Sequence, residues 1–88
     1  MRQQKIVQTG IEKMRWVTDY SAENLTFEIE REPVIGPQKE KEFHRYMLRA
    51  FEPLGELHAE YLQEDLIEAQ MHAMRKWGVP LAAWELHL

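Results

Sequence analysis

Cysteine is absent from this 88-residue chain. That one absence excludes disulfides, thiolate catalysis and cysteine-ligated zinc. Serine occurs once, as Ser21, with no glycine elbow around it, so a serine nucleophile has no local support. Gly10, Gly36, Gly55 and Gly78 stand singly and build no phosphate-cradling loop. No apolar run approaches the roughly 18 residues needed to cross a bilayer. The opening MRQQKIVQTG has no apolar signal core, so a cytoplasmic protein without membrane contact is expected. Positive charge is scarce as well: 15 acidic against 11 basic residues give a net charge of −4. Binding to nucleic acid rests on neutralising phosphates, so nucleic acid is not an expected partner.

What the chain does have is apolar and aromatic mass. Hydrophobic residues make up 44% and charged residues 30%, the balance of a folded globular domain. The length allows one small domain and no second core. A chain this short buries only about 60–65% of the surface its unfolded form exposes, and such scaffolds often recruit a second copy. Nine aromatic residues, Trp16, Trp77 and Trp84 among them, are more than enough to seed one core and leave some for an interface.

Leu25 to Glu30, LTFEIE, alternates strictly: Leu25, Phe27 and Ile29 on one face, Thr26, Glu28 and Glu30 on the other. That period of two predicts a half-buried strand. Met14, Trp16, Thr18 and Tyr20 share a face upstream, and Ser21-Ala22-Glu23-Asn24 has turn chemistry. Residues 1–33 therefore read as an antiparallel hairpin region, with room for a third strand and Trp16 near Phe27. The competing reading is a helix from Gln3 to Tyr20, which would carry Gly10 in its interior at about 0.8–1 kcal/mol relative to alanine.

Residues 37–51 read as a helix opened by Pro37, with Phe43, Tyr46, Met47, Ala50 and Phe51 as one stripe. Lys39, Lys41, Arg45 and Arg49, interleaved with Glu40 and Glu42, form its solvated side. Pro53 ends it. Residues 54–77 read as a second, long helix closed by Gly78 and Pro80. Its apolar side changes direction: Leu54, Leu57, Tyr61 and Leu62 lead the first half. Leu66, Ala73 and Trp77 then lie on one flank, with Ile67, Met71 and Met74 on another. Residues 79–88 form an apolar tail, in which six of the last eight side chains are apolar. The expected fold is α+β, an antiparallel hairpin packed on a two-helix hairpin with a short C-terminal element. The alternative is an all-α bundle.

For function, the reading is a non-catalytic protein-interaction module, a small regulatory or accessory subunit that associates with itself as a homodimer and with an unknown protein. No cofactor is expected. Ile67, Met71, Met74, Trp77, Leu81, Trp84 and Leu88 are the candidate contact residues, because they exceed what one stripe of one helix buries. Two alternatives use the charged residues. Glu64, Glu68 and His72 carry carboxylate and imidazole ligands along one helix stripe, and Glu40 with His44 repeats their four-residue spacing. The bland reading of that set is intrahelical pairing worth about 0.2–0.5 kcal/mol per pair. The acidic balance also allows a protein that imitates nucleic acid and blocks a partner's binding surface. Among the histidines, His58 lies nearest the apolar side and is expected to be partly buried.

Overall fold

The computed structural model describes residues 14–35 and 42–87. It forms five strands and, among the described residues, one α-helix: β1 (Met14–Thr18), β2 (Thr26–Ile35), β3 (Glu42–Phe51), β4 (Leu57–Gln63), α1 (Leu66–Trp77) and β5 (Trp84–His87). A single 3-10 turn, Leu81–Ala83, separates α1 from β5. Both predicted fold alternatives are corrected by this arrangement. The protein is a five-stranded antiparallel sheet with a helix on one face, neither a hairpin on two helices nor an all-α bundle.

The strands lie in the order β4-β3-β2-β1-β5, each antiparallel to its neighbour. Four consecutive strands form a meander, and the chain then crosses one face as α1 to add β5 beyond β1. Of the strand expected over 25–30, all but Leu25 lies within β2, and Trp16 pairs with Ile29 rather than lying opposite Phe27. A tight turn joins β1 to β2, with reciprocal Ala22–Leu25 backbone hydrogen bonds of 3.3 and 2.8 Å. Its central residues, Glu23 and Asn24, both have positive φ, the geometry that matches the twist of paired strands.

Residues 42–51 pair along their whole length with β2, so the helix expected over 37–51 is a strand from Glu42 onward. The physical reason is Leu48. The helical stripe had no place for it, whereas alternation puts Tyr46, Leu48 and Ala50 on one face, and Leu48 is 0% exposed at the centre of the core. The first part of that expected helix, residues 37–41 with Pro37, lies outside the described residues.

The long helix over 54–77 is likewise two elements. Glu52-Pro53-Leu54-Gly55 makes a turn closed by a 2.7 Å bond from the Gly55 N–H to the Glu52 carbonyl, and β4 follows. Helix begins only at Leu66, where the Asp65 carboxylate accepts a 2.9 Å hydrogen bond from the Glu68 N–H. That cap satisfies one of the orphan donors of the first turn. The change of apolar direction at Tyr61 marked the change of element from β4 to α1. At the far end Gly78 takes the left-handed conformation, φ 78°, and its N–H bonds the Met74 carbonyl at 2.9 Å. A side chain there would also meet the Tyr20 hydroxyl at 3.2 Å.

The core lies between α1 and the sheet. Phe27 and Ile29 of β2, Leu48 and Ala50 of β3, and Ala69, Ala73 and Trp77 of α1 are buried together, with Val79 just past the cap. Alanines at 69 and 73 let the helix backbone approach the sheet closely. Trp77 packs on Phe27 and Tyr61 at ring separations of 4.9 and 6.2 Å. Toward β1, where the helix does not reach, Trp16 and Tyr46 meet at 5.9 Å across β2. Together their rings roof part of that strand.

Candidate interaction surface

α1 has three differently used sides. Leu66, Ala69, Ala73 and Trp77 face the sheet. On one flank, His72 stacks on Tyr61 of β4 at 4.4 Å, and its Nδ1 lies 3.2 Å from the Gln63 amide nitrogen. At 100° per residue, Ile67 and Met74 fall nearly opposite His72 around the helix axis. Their flank therefore turns away from β4, toward the half of the sheet formed by β1 and β5. Ile67 is 55% and Met74 37% exposed, and Met71 stands between them, half-buried and outside the core cluster.

The remaining candidate contact residues divide. Trp77 is spent on the core. Trp84 sits opposite Thr18 in the β1–β5 ladder and packs against the core, so the tail docks on its own domain. The buried Trp84 Nε1–H has no acceptor among the described residues; ring packing and the strand ladder hold the tail in place. Leu81 is exposed in the 3-10 turn, and Leu88 lies outside the described residues. Leu86, which the sequence reading passed over, faces the helix side opposite Trp16 and is exposed. Its signal was alternation: Trp84 and Leu86 are two apart, as strand partners on one face must be.

The opposite sheet face has no helix over it and carries charge. β2 presents Glu28, Glu30 and Glu32 there, and Arg49 of β3 reaches among them. Arg49 Nη1 donates to Glu30 at 2.7 Å and to Glu28 at 3.3 Å, while Nε donates to Glu60 of β4 at 2.9 Å. Arg15 adds a looser 3.9 Å contact with Glu28. Loss of hydration pulls the Arg49 pKa down, but hydrogen bonds and charges from Glu30 and Glu60 outweigh it and hold the pKa above the ordinary value. The sequence reading placed Arg45 and Arg49 on a solvated helix face and missed this cluster. The every-second-residue glutamates of β2 were its visible half.

Arg49→Met tests what the cluster does. Removing the shared cation leaves four glutamates, Glu28, Glu30, Glu32 and Glu60, without it at neutral pH, with an expected loss of about 1–3 kcal/mol. The deficit relative to the parent should shrink in high salt. Urea unfolding at low and high salt measures it; an equal deficit at both would assign the loss to packing.

His72 titrates in the opposite sense. Burial lowers its pKa, and the charges of Arg75 and Lys76 lower it further. With the Gln63 amide donating to Nδ1, the ring accepts in its neutral form. The folded state thus binds this proton more weakly than the unfolded state, whose pKa is about 6.5. The contribution is complete above that value and is lost as pH falls through the lower folded-state value. Stability should fall between pH 7.5 and 5.5 in the parent and stay flatter in His72→Gln, as urea midpoints will show.

Glu64 and Glu68 are both exposed, and Glu68 stands one helical turn before His72. Among the described residues, no group of three or more histidine, aspartate or glutamate side chains converges as a metal site would require. Glu40 lies outside the described residues, and His44 is in β3 rather than on a helix. His58 is exposed beside Glu52, with Nδ1 3.1 Å from the carboxylate, so the expectation of a partly buried His58 is corrected. Thr18 Oγ1 is used locally, accepting the Tyr20 N–H at 3.0 Å. No helix among the described residues is long and apolar enough to cross a membrane.

Fold and surface together define a class: a helix-backed antiparallel sheet with one apolar helix flank left open and a charged face behind it. No family model, curated protein or solved structure matches this chain.

Proposed function

We propose that this protein is a non-catalytic interaction module, a small regulatory or accessory subunit of the cytoplasm that associates through the open flank of α1. The observation that carries the reading is the exposure of Ile67 and Met74, with Met71, on a helix whose sheet-facing side is already filled. Leu86 adds exposed apolar surface to the helix side of the sheet, and Leu81 is exposed in the 3-10 turn. Burying such side chains is worth about 25 cal/mol per Å² removed from water, which gives association a driving force. The nucleic-acid-mimic alternative finds less support, because Arg49 neutralises the glutamates best placed to imitate phosphates.

Sedimentation equilibrium between about 1 and 100 µM, a range around ordinary protein–protein affinities, tests the reading. A concentration-dependent rise from monomer to dimer is expected. Ile67→Lys should abolish the rise without lowering the unfolding midpoint, since that side chain lies outside the core. A strict monomer across the range removes self-association from the proposal.

A further inference from the structure

The register of such a pairing can be read from the charges on α1. Its first turn and the residues before it are acidic, Glu64, Asp65 and Glu68, and its last turn is basic, Arg75 and Lys76. Lys76 lies over the Trp77 ring, 5.5 Å from its centroid. The carboxylate of Glu68 and the guanidinium of Arg75 are exposed, and neither has an ion-pair partner among the described residues. Ile67, Met71 and Met74 form a short apolar row whose ends are nearly interchangeable under a half-turn about Met71. From this we infer that a second copy of the chain docks on this flank with its α1 antiparallel. Met71 then sits at the twofold axis, Ile67 lies against Met74 of the second copy, and Glu68 lies beside Arg75 of the second copy.

Charge complementarity selects this arrangement. A parallel pairing sets acidic first turns together and basic last turns together, which like-charge repulsion opposes. Antiparallel pairing joins opposite charges twice by symmetry, as a self-complementary twofold interface requires. The sheet edges offer a second copy less. The midpoint of β4 is Glu60, already bound by Arg49, and β5 has only four residues to pair.

This register rests on the self-association reading, and the two can fail separately. Because the parent has no cysteine, Met71→Cys introduces the sole thiol. Near the twofold axis it should give a disulfide-linked dimer under mild oxidation. Leu54→Cys, at a hairpin tip that is 91% exposed, should not. Glu68→Arg alone and Arg75→Glu alone should each weaken dimerisation about tenfold, two surface pairs being broken at once. The double exchange should restore it. A parent that stays monomeric at about 100 µM overturns both the association and its register. A dimeric parent whose Met71→Cys variant does not cross-link, or cross-links no better than Leu54→Cys, overturns the register alone. So does a double exchange that fails to rescue.

Discussion

Leu48→Ala is expected to cost about 3–5 kcal/mol, the upper part of the range for a fully buried leucine truncated to alanine. Leu48 sits in the central half of the sheet, between Ile29 on β2 and Tyr61 on β4. It is covered by α1 and has no exposed surface. Its neighbours are held by ladders on both sides, so the site cannot collapse to fill the space. A domain this small has roughly 5 kcal/mol to lose. Most of the variant should therefore be unfolded near 37 °C, and circular dichroism on heating will show it. Leu62→Ala is the control: that side chain is 46% exposed on the far face of β4, and a loss below about 1 kcal/mol is expected. Equal losses at the two positions would contradict the strand assignment of 42–63.

Removal of residues 81–88 is expected to unfold the isolated chain. The deletion strips β5 from β1 along four residue pairs, Arg15–His87 through Thr18–Trp84. It also takes the Trp84 ring off the core. A tryptophan of this kind contributes several kcal/mol through about 150–250 Å² of contact, and a bare β1 would present an unpaired edge. Trp84→Ala should reproduce much of the loss with the backbone intact. A truncated chain that keeps its near-ultraviolet dichroism and its unfolding midpoint would show the tail to be dispensable.

The parts of the fold legible in the sequence were those whose alternation had only one interpretation. Leu25, Phe27 and Ile29 cannot share a helix face, and they lie in or beside β2 as expected. Residues 42–51 satisfied both periods, because Phe43, Tyr46, Met47, Ala50 and Phe51 fit a helical stripe as well as a strand fits Tyr46, Leu48 and Ala50. Pairing with β2 over ten positions decides between them, and pairing is a long-range fact that a local period does not carry. The start of α1 carried a signal that the helix expected over 54–77 ran through: Asp65 followed three residues later by Glu68 is a helix-opening pattern. The open flank of α1 was legible because Ile67, Met71 and Met74 lie inside the stretch that is helical. The Arg49 cluster was hidden, since it exists only once β2, β3 and β4 lie side by side.

The meeting of β1 with β5 also shapes how the chain reaches its native state. Strands β1 to β4 connect through neighbours in sequence and can zip in order. The Thr18–Trp84 pairing instead closes a loop of 66 residues, an entropic cost of about 4 kcal/mol. That closure belongs to the last step of folding, after the meander and α1 have shortened the effective distance. During synthesis, Trp16 and the β1 edge stay uncovered until residues 84–87 have left the ribosome. Aggregation risk is therefore greatest between the emergence of β1 and that of β5. A chain stalled near Gly78 would be a far stickier molecule than one that extends through β5.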